Sequence, residues 1–342
     1  MARRVVLHIG SMKSGTSFLQ NVLGANREAL AERGVLFAGA RWRDQVDAVR
    51  DVADNAATGL DPEGPWRQLA AGVRDWPQTA VISMEFLAPR NSEQIRLICD
   101  SFGDAEIDVV MTVRDMGRTI PAMWLESTQN GATATWEQFL REVRRRDGQA
   151  GRDFHRHQDL AAIAARWSAV VGTDHFTVVT VPPPGAPSRL LWDRFAAILG
   201  VEIEQVQLDV RANPGLGLAS AMVLRRFNER YRAQRGGDLG PEYLRLVKHR
   251  LAKGGLVHRD GEPKLGFSGR WARRLGEQQR AALQAAGYRV VGDLGELTPQ
   301  RVRGVQPRQV SADQQLDAAV DGMIHLVAEL KKHRPGREQV NP

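Results

Sequence analysis

The chain has 342 residues, of which 42% are hydrophobic and 25% charged, values of an ordinary globular protein that exclude global disorder and repeat-biased classes. Its apolar runs reach six residues at most, far short of the roughly 20 that a membrane helix needs, and no apolar leader follows Arg3-Arg4. A net charge of +7 points to an anionic partner. Six of the 47 basic residues are lysines, and Lys13 is the only one before Lys248, as expected of a protein from a G+C-rich genome. The single cysteine, Cys99, allows neither a disulfide nor a cysteine metal cage within the chain. These features together predict a cytoplasmic protein.

Val5 to Ile9 reads as a short strand ended by Gly10, and helical spacing begins near Ser17 and runs through Leu30 to a stop at Gly34. Further strands are predicted at Ala80 to Met84, Ile107 to Val113 and Phe176 to Val181. Helical spacing occupies Asn91 to Phe102, Met116 to Ser127, Thr135 to Arg145 and His157 to Val171, while Arg41 to Trp76 reads as irregular. Alternating strands and helices predict an α/β fold, a three-layer parallel sheet covered on both faces. The Pro182-Pro183-Pro184-Gly185 turn leads to a helix at Ser188 to Leu199.

After Asn213-Pro214-Gly215 the pattern is mainly helical: Ala219 to Ala233, Pro241 to Leu251 and Ser268 to Ala286. Ser311 to Gln314 reads as a capping box, followed by Leu316, Val320, Met323, Val327 and Leu330 at alternating spacings of four and three. That helix is expected to pack on its own domain, with a homodimer through it as the alternative. His333 to Pro342 reads as a loose tail. The predicted organisation is one domain over 1–300, with a nucleotide-binding core at 1–205 and a helical acceptor-side region at 213–300. A linker, the amphipathic helix and the tail fill 301–342.

Gly10-Ser11-Met12-Lys13-Ser14-Gly15-Thr16-Ser17 joins the first strand to the first helix, where backbone N–H groups and the helix dipole suit a phosphate. A nucleotide triphosphatase loop places lysine directly after its second glycine; here Thr16 holds that slot and Lys13 lies two residues before the glycine. This spacing argues against an ATPase or GTPase. A carboxylate or histidine beyond a strand end would serve as a base. Glu85 directly follows the strand at Ala80 to Met84, and His155 and His157 are alternatives. His8, inside the first strand, reads as a buried, hydrogen-bonded residue. No metal site is expected, because the histidines lack neighbouring ligands.

Lys13-Ser14-Gly15-Thr16-Ser17, placed between strand and helix, resembles the 5′-phosphosulfate loop of the P-loop sulfotransferases, Lys-x-Gly-Thr-(Thr/Ser), and the chain looks like a bacterial, actinomycete-like member. Arg114-Asp115, ending the strand at Ile107 to Val113, resembles the family's 3′-phosphate segment. The resemblance covers roughly residues 5–205 and implies 3′-phosphoadenosine 5′-phosphosulfate as donor, with adenosine 3′,5′-bisphosphate as product and no metal. It implies Lys13, Ser14, Gly15, Thr16 and Ser17 around the 5′ end, Arg114 at the 3′-phosphate, Lys13 stabilising the leaving group and Glu85 as base. The family's serine eight residues after the arginine is here Ala122. Thr119 or Arg118 stands in for it, with Ser127 a weaker candidate; Lys253-Gly254-Gly255 is a distant echo of the family's C-terminal segment.

The implied activity is sulfuryl transfer to a hydroxyl, less readily an amine, of a small molecule or glycoside. A P-loop kinase with a rearranged lysine and a basic nucleic-acid-binding protein are the alternatives. The first would need a magnesium-binding aspartate at a strand end; the second has the charge but only 6% aromatic residues. No nucleic acid and no membrane is expected as partner.

Overall fold

The computed structural model describes residues 2–57, 59–208 and 215–332. The turn at Asn213-Pro214 and the tail from His333 lie outside the described residues. Six strands form one parallel sheet in the order β2-β3-β1-β4-β5-β6: β1 (Arg4–His8), β2 (Val35–Phe37), β3 (Thr79–Ser83), β4 (Glu106–Val113), β5 (Phe176–Thr180) and β6 (Arg289–Val291). The fold is the expected α/β architecture with a mainly helical C-terminal part. The four predicted strands lie within one residue of their expected ends. β2 and β6 are the additions, each three residues long and too short to display a period.

Val6, Val81, Val110 and Val179 point from four adjacent strands to one face of the sheet. There they meet Leu19, Val22 and Leu23 of α1 (Thr16–Ala25), with Trp192 and Phe195 of the helix Leu190–Leu199. Helices α3 (Trp42–Asn55) and α4 (Pro65–Arg74) pack together, and α3 also meets α5 (Ser92–Asp100). α5 packs on α9 (Leu160–Val171), which lies on β4 and β5. Burial on both sides explains why β3 and β5 read as continuous apolar runs instead of alternating ones.

Three helical expectations are corrected. The run from Ser17 to Leu30 divides into α1 and α2 (Arg27–Glu32), because the Asn26 amide turns back onto the Val22 carbonyl (2.8 Å). The stretch 41–76 is not irregular: α3 buries Val46, Val49 and Val52 at three-residue spacing beneath a charged exterior, and Pro65 opens α4. Residues 157–171 do not form one helix. α8 (Gly148–Gln158) ends where the Asp159 carboxylate caps α9 by accepting from the Ala162 N–H (3.2 Å), so His155-Arg156-His157 is a last helical turn and not a helix start.

The chain divides into two compact units that do not follow its order. Unit 1 comprises Met1–Thr119, Arg152–Asn213 and Arg270–Pro299, and contains the whole sheet. Unit 2 comprises Ile120–Gly151, Pro214–Gly269 and Gln300–Pro342. In unit 2, Trp136 stacks on Phe139 and meets Trp124 and Phe267 edge-on. The unit includes α7 (Trp136–Arg145), α11 (Leu218–Gln234), a π-helical segment Tyr243–Gly255, and α13 (Ala312–Lys332). Between α11 and α13 in sequence lies α12 (Arg270–Ala285), which packs against α9 in unit 1. No helix among the described residues is long and apolar enough to cross a membrane.

Candidate functional site

The chain leaves β1 for β2 and β3 on one side, and β4, β5 and β6 follow on the other. The sheet therefore switches direction between β1 and β4, the place where open α/β sheets collect ligands beyond the carboxyl ends of their strands. Two segments meet at that point: the loop from Gly10 to Gly15, and Arg114 at the end of β4.

The loop is held from below. The Ile9 and Ser11 N–H groups donate to Val110 and Thr112 carbonyls (both 2.9 Å), extending the β1–β4 pairing past the strand end. The Ser14 hydroxyl donates to the Ser11 carbonyl (2.6 Å), so in its 2.7 Å contact with Thr112 Oγ1 it accepts. Thr112 has then spent its own proton, and His8 Nε2 must donate to it (3.1 Å), leaving His8 Nδ1 to accept from the Ser83 hydroxyl (2.7 Å). A neutral imidazole satisfies every partner in this chain. Full burial pushes the His8 pKa down to about 3, in agreement. His8 is therefore the buried, hydrogen-bonded residue expected of it. The Ser14 side chain is consumed in the support.

Above this support the backbone is left-handed at Gly10 (φ 50°), Lys13 (φ 65°) and Gly15 (φ 83°). Gly10 must lack a side chain, since a Cβ there would lie 2.6 Å from Thr16 Oγ1. Left-handed backbone at Lys13 costs about 1–2 kcal/mol for a residue with a side chain. Such strain collects where a functional geometry demands it. Alternation of this kind turns successive N–H groups into an anion-binding concavity. The loop opens directly into α1, whose N-cap, Gly15, makes no side-chain hydrogen bond, and whose first turn carries no acidic residue. Thr16 Oγ1 is buried at this helix start and has no hydrogen-bond partner. A buried hydroxyl is seldom left so; an anion here would accept from it.

Arg114 is drawn to the same loop, its Nη1 donating to the Lys13 carbonyl (3.2 Å). Its Nε is buried without a partner. Burial, with Arg118 nearby, pushes the guanidinium down to about 10, the neighbouring Asp115 opposing the shift. Asp115 is itself committed to Arg118, through an ion pair and by accepting from the Arg118 N–H (3.0 Å). Arg118 also donates to the Pro182 carbonyl (2.9 Å), so its guanidinium is engaged as a structural clamp. Thr119 remains: it is buried and its hydroxyl has no partner. Ser127 donates to the Trp124 carbonyl within its own helix, α6 (Met116–Gln129) (2.8 Å).

Glu85 begins the turn after β3, and a Cβ built on Gly10 would lie 3.6 Å from Glu85 Cβ, so the base of the Glu85 side chain lies beside the loop. Gln20 of α1 orients it. The Gln20 amide donates to the Ser83 carbonyl (2.8 Å) and to Glu85 Oε2 (3.2 Å), and its carbonyl accepts from Trp42 Nε1 (3.1 Å). Trp42 is nevertheless half exposed, and it is the one exposed large hydrophobic residue among those described in unit 1. Gln20 and Trp42 carried no sequence signal, since the first lies on an ordinary helix and the second in a stretch read as irregular.

The end of α8 touches the site through Gln158, whose amide donates to the Met12 carbonyl (2.7 Å). Burial, together with Arg156, pushes His157 down to about 4. The one cluster of histidine and carboxylates among the described residues that could hold a metal, Glu106, Asp108 and His175, is at the opposite, amino-terminal edge of the sheet, where Arg4 also binds Asp108 (2.6 Å).

Among solved structures the chain is similar to a sulfotransferase from Alicyclobacillus acidocaldarius. The two are 17% identical, with a TM-score of 0.42, over 70% of this chain and 98% of that one. No family model and no curated protein matches the chain.

Proposed function

We propose that the chain is a sulfotransferase that uses 3′-phosphoadenosine 5′-phosphosulfate as donor and a hydroxyl compound as acceptor. One observation carries the reading. Arg114, a buried cation whose neighbouring aspartate is taken, is bonded to the very loop that opens an uncapped helix N-terminus. Two anion seats on one loop suit a ligand with phosphates at both ends of a nucleoside. The seats are the loop with Thr16, and Arg114 with Thr119. The resident side chains fit such a group, because Thr16 Oγ1, Thr119 Oγ1 and Arg114 Nε each lack a partner that an anion would provide.

When bound, the donor supplies the sulfuryl group. Glu85 takes the proton of the attacking hydroxyl, while Gln20 holds the carboxylate in place. The Lys13 ammonium neutralises charge that grows on the phosphate side as the sulfur–oxygen bond breaks, a preorganised electrostatic contribution. Trp42 offers an exposed indole, fixed at its N–H and two hydrogen bonds from Glu85. A flat apolar surface in that position suits an acceptor hydroxyl carried on a sugar or aromatic ring.

Calorimetry with adenosine 3′,5′-bisphosphate, and with ATP in the presence and absence of magnesium, tests the reading. The expected result is metal-independent binding of the bisphosphate. Binding of ATP only with magnesium, with no binding of the bisphosphate, would overturn it in favour of a kinase-like enzyme.

A further inference from the structure

Helix α13 shows two opposite faces. Ala318 is buried, a Cβ on Gly322 would lie 3.0 Å from Leu251, and the His325 ring covers Gly255, so these three residues form the face packed within unit 2. At 3.6 residues per turn the opposite face carries Leu316, Val320, Met323, Ile324, Val327 and Leu330, each between 38% and 65% exposed. The helix packs within its own unit, as expected, but by its small residues, and its large apolar residues are outside. The capping box that starts the helix forms as expected, the Gln314 N–H donating to Ser311 Oγ (3.1 Å) and the Ser311 N–H to Gln314 Oε1 (2.9 Å).

Leu316, Val320, Met323, Val327 and Leu330 follow one another at four, three, four and three residues, the seam of a two-helix coiled coil. Covering the stripe on two such helices buries on the order of 1,000 Å², the size of a small specific interface. The flanks decide what lies opposite. Asp317, Ile324 and Lys331 line one flank at seven-residue spacing, while Ala319 and Leu326 line the other. In a parallel pair the charged flank of one helix faces the apolar flank of its partner, and neither charge is matched. In an antiparallel pair each flank faces its own equivalent running backwards, so Asp317 meets Lys331 of the second copy, and Lys331 meets its Asp317.

We propose that the protein forms a two-fold homodimer through antiparallel pairing of α13. Antiparallel heptads set a against d positions, so Val320 then faces Leu330 of the second copy, Met323 faces its Val327, and the two Ile324 side chains meet near the axis. The surface is self-complementary, as a two-fold interface requires. Its charge pattern fits a second copy of this chain better than a lipid surface, because the charges flanking the stripe are of both signs.

Sedimentation equilibrium of the full chain between about 1 and 100 µM tests this, at concentrations where interfaces of this size associate. The expected result is a dimer, with Val320→Glu/Val327→Glu monomeric and unchanged in circular dichroism, and with a melting temperature that no longer rises with protein concentration. Asp317→Lys alone and Lys331→Asp alone should each weaken the dimer about tenfold or more, since each places like charges together. Mixing these two variants, or combining both changes in one chain, should restore it. A wild-type chain that stays monomeric throughout the range overturns the dimer, whether or not it binds vesicles of anionic lipid. A dimer indifferent to the Val320/Val327 substitutions assigns the interface elsewhere. One whose charge-reversed variants are not rescued by mixing overturns the antiparallel register.

Discussion

Arg114→Met separates a binding arginine from a structural one, because the two roles predict stability changes of opposite sign. In the ligand-free protein the guanidinium is buried beside Arg118, and its pKa is pushed down from the ordinary arginine value to about 10. That drop corresponds to roughly 3 kcal/mol against the charged form in the folded state. At neutral pH the group is protonated both folded and unfolded, so the whole penalty bears on folding. Methionine fills a similar volume without charge and gives up the hydrogen bond to the Lys13 carbonyl, worth about 1 kcal/mol. Ligand-free Arg114→Met should therefore be more stable than the wild type by roughly 2 kcal/mol, read by urea or thermal unfolding. Affinity for adenosine 3′,5′-bisphosphate should fall by roughly 2 to 4 kcal/mol, some 30- to 700-fold by calorimetry, because a charge-assisted pair with phosphate is lost. A variant that is destabilised by more than about 2 kcal/mol, yet binds the bisphosphate as tightly as the wild type, would show that Arg114 serves the fold and that the anion seat lies elsewhere.

With an accepted hydroxyl acceptor, Lys13→Ala should lower kcat by about 10²- to 10³-fold with little change in KM, the pattern of a group acting in the transition state. A normal kcat with a donor KM raised a hundredfold would make Lys13 a binding residue. Lys13→Gly should be as inactive but more stable by up to about 1 kcal/mol, since it relaxes the left-handed backbone at that position. Burial holds His8 at about 3 and His157 at about 4, both below the usual 6.5, so the unfolded chain binds protons that the folded one refuses. The stability these neutral rings confer is complete above pH 6.5 and is lost as pH falls towards 4, each contributing a slope of about 1.4 kcal/mol per pH unit. His8→Gln should flatten that slope by one proton in unfolding curves measured across the window; an unchanged slope would refute the buried neutral imidazole.

Much of the molecule was legible before folding was considered, because the information is local. A β-branched run needs no partner to be recognised, so the cores of β1, β3, β4 and β5 were readable to within a residue. The loop was readable because glycine at positions 10 and 15 and lysine at 13 answer to backbone conformations set by a few neighbours. The Ser311–Gln314 capping box is local in the same sense. Tertiary structure decided everything that depends on who stands next to whom. Three-residue strands such as β2 and β6 exist only because a neighbour's edge pairs with them. The sequence singles out Arg114 and leaves Arg118 and Thr119 as alternatives beside it, and packing holds Arg114 to the loop and Arg118 to Asp115 and the Pro182 carbonyl, while the Thr119 hydroxyl is buried and unanswered. Gln20 and Trp42 acquire meaning only beside Glu85, which is 65 residues from Gln20 along the chain. The stripe on α13 follows the same division: periodicity alone reveals that one face is apolar, but a period has no direction. Only the contacts of Ala318, Gly322 and His325 show that the small residues turn inward and leave the large ones to meet another surface.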